Sequence, residues 1–393
     1  MRAVRRRVAV VTDSTAALPP GAAERWGIAV VPLDVVVDGR RFTEGVSLAP
    51  EELVAALRRG AQVSTSQPAP EAFARAYARA AALGAEAVVS VHLSGELSGT
   101  VGAAHSAAER APLPVHVVDS RTAAMALGAA ALAAAWTAAG VPPDERLVEP
   151  TSLAPGSRGV VAGAGAGTPA GAHDEEARRR PERHLPAALR LPEGLRLPGG
   201  LRLPDGLRLP EGMHLPGGLH RWEDAHLPEG LRPARGPRGS GAPRRAALPG
   251  ADEVAQAARA AAASAQVWFL VDSLEHLRRG GRLSGPAAAL GTVLGLRPLL
   301  TVAEGHVVVA EKIRTRPAAR ARLEAVAVAA GGRHERVRLV VHHLGEREAA
   351  DEVASRIAAG LGDRVREVVV SEAGAVLGAH VGPGLLAVVV APA

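Results

Sequence analysis

Short hydroxyl and acidic side chains follow several apolar runs in the first third of the chain. Residues 7–11, 87–91 and 115–118 predict buried strands, and polar residues come directly after each of them. The carboxyl ends of parallel strands share one edge of a sheet, where ligands bind and where helix N-termini face bound anions. This spacing predicts a site for an anion-headed ligand at that edge.

Four segments supply candidate ligand-binding side chains of this kind. They are Asp13 with Ser14, Thr65 with Ser66, Ser94 with Ser98, and Asp119 with Ser120. Residues 64–68 are predicted to form a loop before a helix. Helix capping and turn formation account for any one segment taken alone. The convergence of four segments on one sheet edge favours a binding site.

Catalytic and metal-binding motifs are incomplete. In residues 95–99 (GELSG) the serine lies one position after the place it has in the Gly-x-Ser-x-Gly motif of esterases, so Ser98 does not match that motif. No phosphate-binding Gly-x-x-x-x-Gly-Lys motif occurs. The chain has no cysteine, and the adjacent His342 and His343 would point apart on a strand. We therefore expect no metal and no cofactor. A hydrolase that uses Ser94 or Ser98 with His342 is the alternative.

The charge of the chain is concentrated outside its predicted folded parts. The isoelectric point is about 10.9, but residues 141–250 hold 16 arginines against 13 acidic residues, and four more arginines lie in the first seven residues. Aromatic residues make up 2% of the chain, so no basic face with interleaved aromatics is expected. This distribution argues against a nucleic-acid partner.

No membrane or export segment is predicted. The apolar run of residues 8–11 is too short for a signal peptide, and no run reaches the length that a membrane helix needs. A cytoplasmic location is the expectation.

Three regions are predicted. Strand-like and helix-like segments alternate over residues 1–140, which is typical of an α/β domain with a doubly wound, largely parallel sheet. A second, smaller α/β domain is expected over residues 251–393. Residues 141–250 hold 17 of the 30 prolines in a six-residue Leu-Arg-Leu-Pro repeat. A period of six is also found in β-helices, but a proline in every unit removes a backbone donor from every coil, which favours a disordered insertion.

The ordered motifs of the two α/β regions resemble those of DegV family proteins. They are residues 10–15 (VVTDST), 31–33 (VPL), 64–68 (STSQP), 94–100 (SGELSGT), 118–120 (VDS), 277–283 (LRRGGRL), 312–316 (KIRTR), 340–342 (VVH) and 378–384 (GAHVGPG). The resemblance covers about residues 8–140 and 251–393, and the insertion is not part of the family's usual pattern.

The resemblance implies a lipid-binding carrier without catalytic residues of its own. DegV proteins are two-domain α/β proteins that bind one long-chain fatty acid, and characterised members present it to a separate ATP-dependent fatty acid kinase. By this resemblance Thr65 and Ser94 bind the carboxylate, and Arg282 and His342 lie nearby.

Further serines and an aspartate complete the candidate site. Many relatives carry two consecutive serines where this chain has Ser94 and Gly95, so Ser98 is held in reserve. Ser66, Asp13 and Ser14 complete the candidate set.

Overall fold

A computed structural model describes residues 7–66, 68–142, 147, 248–283 and 297–393. Most of the proline-rich repeat, and with it the prediction that residues 141–250 are disordered, lies outside the described residues.

The described strands and helices alternate along much of the chain. The strands are β1 Val8–Asp13, β2 Ile28–Val31, β3 Asp34–Val37, β4 Arg40–Thr43, β5 Val63–Ser66, β6 Ala87–His92, β7 Val115–Asp119, β8 Gln266–Leu270, β9 Arg297–Ala303, β10 His306–Ile313, β11 Val337–His343, β12 Val365–Glu372 and β13 Leu386–Pro392. The α-helices are α1 Ala22–Trp26, α2 Pro50–Arg58, α3 Pro70–Ala82, α4 Thr100–Ala108, α5 Ala124–Ala139, α6 Ala251–Ser264, α7 Glu275–Arg279, α8 Arg316–Gly331, α9 Arg347–Leu361 and α10 Ala375–Val381.

The first sheet, called here the parallel sheet, has the order β2-β1-β6-β7 with every described pair parallel. Its apolar strands are covered on both faces, since Phe73 and Tyr77 of α3 are fully buried on one side and α5 packs on the other. The prediction of a doubly wound, largely parallel sheet is confirmed.

Helix α6 packs against α5 although the insertion separates the two in sequence. Val254, Ala255 and Ala258 share a hydrophobic cluster with Val89 of β6 and Leu127 of α5. The chain that follows the insertion therefore completes the core of the parallel sheet.

The second sheet, called here the mixed sheet, has the order β10-β9-β8-β13-β11-β12. Neighbouring strands are antiparallel except β11 and β12. Helices α8 and α9 cover one face through a cluster that includes Leu323 and Ile357. The predicted second α/β region is confirmed, and its sheet has six described strands against four in the parallel sheet.

A third, small sheet has the antiparallel order β4-β3-β5. The prediction that residues 64–66 form a loop is wrong, because β5 pairs with β3 and places Thr65 opposite Val35. A run of Ser and Thr carries little apolar alternation, so the strand is formed by backbone pairing with β3 rather than by a pattern of its own.

Candidate ligand-binding site

A cavity opens where the three sheets meet. It has about 930 Å³ of empty space, counting its open end. Most of its lining is aliphatic, with Leu93 and Leu97 from the edge of the parallel sheet and Phe269 and Val302 from the mixed sheet. Apolar residues of α10 complete the wall. A lining of this character suits an apolar ligand.

The polar residues of the lining divide by exposure. Thr65, Ser66, Ser98, Arg282 and His380 are partly exposed, whereas Thr15 and His342 are 1% exposed. A ligand with one polar end would place that end among the partly exposed group and its apolar part beyond it.

Thr65 and His380 bring the small sheet and α10 together. The Oγ1 atom of Thr65 lies 2.9 Å from Nε2 of His380. A Cβ atom on Gly280 would lie 2.6 Å from Nδ1 of the same ring, so only glycine leaves room for the imidazole there. The ring is thus held on both sides at the wall of the cavity.

Arg282 supplies the positive charge of the partly exposed group. Its Nε atom donates to the carbonyl oxygen of Leu97 at 3.0 Å, and its Nη1 atom donates to the carbonyl oxygen of Gly280. Among the described residues that line the cavity, Arg282 is the one side chain with a permanent charge. An anionic head group is therefore favoured beside it.

His380 is neutral at neutral pH. Burial first, and then the positive charge of Arg282, lower its pKa to about 4. In the tautomer that carries its proton on Nε2, His380 donates to Thr65. The Thr65 hydroxyl is then free to donate to an incoming carboxylate, which only accepts, and no second charge is added.

Helix α10, which carries His380, is capped by a residue of the small-sheet region. The Oε1 atom of Glu44 accepts a hydrogen bond from the N–H of Val376 at 2.9 Å. Glu44 is 8% exposed, and burial raises the pKa of its carboxyl. A Cβ atom on Gly374 would collide with this carboxyl. Glu44 therefore fixes the start of the helix whose last turn places His380.

His342 lies in the interior part of the lining. It is on β11, and its Nδ1 atom lies 3.0 Å from the hydroxyl of Ser371 on β12. Its Nε2 atom is buried without a hydrogen-bond partner. Burial first, and then His343, lower the pKa of His342 to about 4.

Ser94 lies outside the lining of the cavity. It is completely buried, and its hydroxyl accepts from the N–H of Glu96 at 3.2 Å. The β9–β10 turn packs onto it so closely that a Cβ atom on Gly305 would lie 2.5 Å from its Oγ. Gly305 also has a φ of +87°, which favours glycine. The structure thus places Ser94 under a turn of the mixed sheet.

Asp13 and Ser14 also lie outside the lining and shape the turn after β1. The Asp13 carboxylate accepts from the N–H of Thr15 at 3.1 Å and of Leu93 at 3.2 Å. The Ser14 hydroxyl accepts from the N–H of Leu33 at 3.0 Å. These contacts present Thr15, Leu33 and Leu93 to the cavity, so Asp13 and Ser14 act on the wall through their neighbours.

A triad-like chain of side chains is sealed beneath α3. Asp13 Oδ2 lies 3.0 Å from Nδ1 of His92, and Nε2 of His92 lies 2.7 Å from Oγ of Ser90. Ser90 is also 2.9 Å from the hydroxyl of Tyr77. All four side chains are fully buried, so a substrate has no access to Ser90.

The two serines of the hydrolase alternative are not paired with His342 in the described part of the chain. Ser98 lies 2.8 Å from the hydroxyl of Thr100, and Ser94 is engaged by Glu96. His342 instead contacts Ser371. No observation favours the hydrolase over a binding site. Within the described ranges, no group of His, Asp and Glu could hold a metal ion, and no helix could span a membrane.

Of the candidate residues, five line the cavity: Thr65, Ser66, Ser98, Arg282 and His342. Sequence reasoning missed His380 as a site residue, although residues 378–384 were among the recognised motifs. A single histidine between glycines in that motif was the available signal. No sequence signal marked Glu44, because its role depends on a helix more than 300 residues away.

Comparison with known proteins agrees with the motifs. The model of the DegV family, described as a family of uncharacterised proteins, matches residues 7–148 and 249–393. The chain belongs to the DegV family. A DegV domain-containing protein of Streptomyces coelicolor is 36% identical over 389 residues, which cover 98% of each chain. The resemblance drawn from the sequence motifs is thereby confirmed.

Solved structures of DegV proteins share the fold. A DegV family protein from Thermus thermophilus, whose structure is described as showing fatty acid binding, is 27% identical with a TM-score of 0.66, covering 98% of this chain and 100% of its own. DegV of Bacillus subtilis, described as a fatty acid binding protein, is 22% identical with a TM-score of 0.65, covering 99% of this chain and 100% of its own. At that identity the second likeness concerns the fold alone.

Proposed function

We propose that this DegV protein binds one long-chain fatty acid in the cavity, with the carboxylate beside Thr65, Arg282 and His380. The observation that carries the proposal is the division of the lining into a partly exposed polar group with one positive charge and an aliphatic interior. The description of the Thermus thermophilus relative as fatty acid binding supports it.

The apolar wall supplies most of the affinity in this proposal. An acyl chain of ~14 to 16 methylenes gains ~11 to 13 kcal/mol if it is fully buried, at ~0.8 kcal/mol for each methylene. A hydrogen bond from a neutral donor to the carboxylate adds about 1.5 to 3 kcal/mol. The head-group residues therefore set the orientation of the ligand more than its affinity.

We further propose that the protein is a carrier that presents the carboxylate to a separate ATP-dependent kinase, as its family resemblance implies. Arg282 and the polar side chains around it are partly exposed, which leaves a bound carboxylate within reach of another protein. A carboxylate held by one arginine and neutral donors is also easier to hand over than one clamped by several charges.

Native mass spectrometry of the purified protein tests the binding step. We expect a bound fatty acid, and we expect the protein to take up oleate again after lipid has been removed. A protein that stays empty in the presence of oleate contradicts the proposal.

A matched pair of arginine variants tests the head-group assignment. Arg282→Gln should weaken oleate binding by about tenfold, since it removes the one permanent charge of the lining. Arg278→Gln, on the exposed side of α7, should leave binding unchanged. Equal affinities in the two variants would place the carboxylate elsewhere.

A further inference from the structure

The unpartnered nitrogen of His342 stands out among the buried polar atoms of the lining. His342 is 1% exposed, Ser371 engages its Nδ1 atom, and Nε2 has no hydrogen-bond partner. A buried polar atom left unpaired costs about 1 to 3 kcal/mol. His342 lines the cavity together with Ala387, its pairing partner on β13, so the side chain that carries the unpaired nitrogen lies on the cavity face of the mixed sheet.

His342 and the head-group residues lie towards opposite ends of α10. The hydroxyl of Ser371 contacts His342, and the N–H of Ala373 donates to the carbonyl oxygen of His343 at 2.7 Å, so the chain before α10 runs beside the end of β11. His380 lies in the last turn of that helix. Seven helical residues span about 10 Å.

The surroundings of His342 differ from those of the head group. Its pairing partner on the adjacent strand β13 is Ala387, which also lines the cavity and is 5% exposed. Arg282 lies beside His380 instead, because its Nη1 atom donates to the carbonyl oxygen of Gly280, and a Cβ atom on Gly280 would lie 2.6 Å from Nδ1 of His380. A carboxylate beside Arg282 therefore leaves Nε2 of His342 to the acyl chain.

We propose that the fatty acid preferred by this protein carries a hydroxyl or keto oxygen along its acyl chain, at the depth of His342. The inference rests on the proposed function and narrows its ligand class. A hydroxyl can donate to or accept from Nε2, and a keto oxygen can accept from it. The Ser371 hydroxyl can likewise donate or accept, so either tautomer of His342 stays paired at Nδ1.

Binding of a matched ligand series tests the inference. The series is stearate and hydroxystearates whose single hydroxyl moves along the chain, measured by calorimetry on delipidated full-length protein. We expect at least one mid-chain hydroxystearate to bind about tenfold more tightly than stearate, because it pairs a buried atom that stearate leaves unpaired. If stearate binds as tightly as every hydroxystearate, the inference is wrong.

Three variants connect the preference to this side chain. His342→Phe should abolish the preference by weakening hydroxystearate binding more than stearate binding. His342→Gln keeps a hydrogen-bonding group and should retain part of the preference, which guards against a folding defect in the phenylalanine variant. His343→Phe, on the same strand but outside the lining, should keep the full preference. A preference that survives both His342 substitutions overturns the inference.

The outcome is distinct from a failure of the proposed function. If no member of the series binds, fatty acid binding itself is contradicted. If stearate and the hydroxystearates bind equally, the protein is a fatty acid carrier and only the oxygenated ligand class is rejected.

Discussion

The Oγ1 atom of Thr65 lies 2.9 Å from Nε2 of His380, although 315 positions separate the two residues in sequence. One side chain belongs to the small sheet before the insertion, and the other belongs to the last turn of α10 near the end of the chain. The proposed head-group site therefore exists only when the first and last parts of the chain are folded together.

Replacing Thr65 should weaken fatty acid binding without a large loss of stability. Thr65→Val keeps the shape of the side chain but removes its hydroxyl from His380, so we expect oleate affinity to fall by about three- to tenfold. Ser64→Ala, on the exposed face of the same strand, is the control and should bind like the parent. Equal loss in both variants would point to damage to β5 rather than to the site.

The carboxyl of Glu44 should act on ligand binding through α10. Glu44→Ala removes the acceptor for the Val376 N–H, so we expect weaker oleate binding and a loss of about 1 kcal/mol in the free energy of unfolding. Glu44→Gln keeps an acceptor oxygen, so its oleate affinity and its free energy of unfolding should stay close to those of the parent. The comparison variant is Glu253→Ala, which removes an equivalent cap from α6, where Glu253 accepts from the N–H of Gly250 at 2.9 Å.

The Glu253→Ala variant should lose stability but keep its oleate affinity. If Glu44→Ala and Glu253→Ala change affinity alike, Glu44 has no special role in placing His380. Calorimetry for binding and urea titration for unfolding separate the two effects.

Stability of the ligand-free protein should fall in mild acid. The pKa values of His342 and His380 are lowered from 6.5 to about 4, mainly by burial. Between these pH values the unfolded chain binds more protons than the folded chain, so the free energy of unfolding decreases as pH is lowered from about 6.5 to about 4. His342 alone accounts for up to about 3 kcal/mol of this change.

Urea midpoints measured across that pH range check this dependence. His342→Gln removes one titrating group and should flatten the decrease. A slope that is the same in the parent and in His342→Gln would contradict the buried, neutral state of His342.

The hydroxyl of Tyr77 should ionise at a higher pH than that of an exposed tyrosine. Burial raises its pKa from 10 to about 12, with Ser90 at 2.9 Å opposing the shift. Tyr77 is the one tyrosine of the chain, so tyrosinate absorbance reports on it directly. We expect the midpoint of the pH titration of tyrosinate absorbance to lie well above pH 10. Tryptophan fluorescence, measured in parallel, shows over which pH range the protein remains folded. A midpoint near 10 in folded protein would mean that Tyr77 is accessible to water.

Removal of the repeat should leave fatty acid binding intact. A Cβ atom on Gly140 would lie 3.6 Å from Cδ2 of Leu248, so the chain re-enters the described fold beside the point where α5 ends. Ala124, at the start of α5, lines the cavity, and the 16 residues of that helix place its other end about 24 Å away. Leu147 is 1% exposed and its N–H donates to Glu367, so it should be retained.

Replacing residues 148–247 with a short Gly-Ser linker tests this expectation. Oleate affinity within about twofold of the parent is the expected result. A loss of tenfold or more in a folded protein would give the repeat a part in the site.

Apolar runs and the alternation of strand-like with helix-like segments were sufficient to predict the parallel sheet and the second α/β region. The runs of residues 7–11, 87–91 and 115–118 each contain three valines, and they have no competing pattern. Strand β5 and helix α10 escaped prediction because they are short and are held by partners distant in sequence, namely β3 and Glu44.

The site residues show the same division. Arg282 and Thr65 were found from their motifs and line the cavity. Ser94 occupies an equally recognisable motif, yet the β9–β10 turn covers its hydroxyl, and nothing in residues 94–100 encodes the approach of Gly305. A motif locates a side chain on an element, whereas the surface it faces depends on packing with the rest of the chain.

The packing of α6 onto α5 has a consequence for synthesis of the protein on the ribosome. Most of α5 is buried in the folded protein, including Leu127, Leu132 and Trp136, and part of its cover is α6. More than 100 residues separate the two helices. At elongation rates of about 5 to 20 residues per second that interval takes on the order of 5–20 s. During it the nascent chain holds an uncovered aliphatic face, which makes this protein a candidate client for chaperones that act at the ribosome.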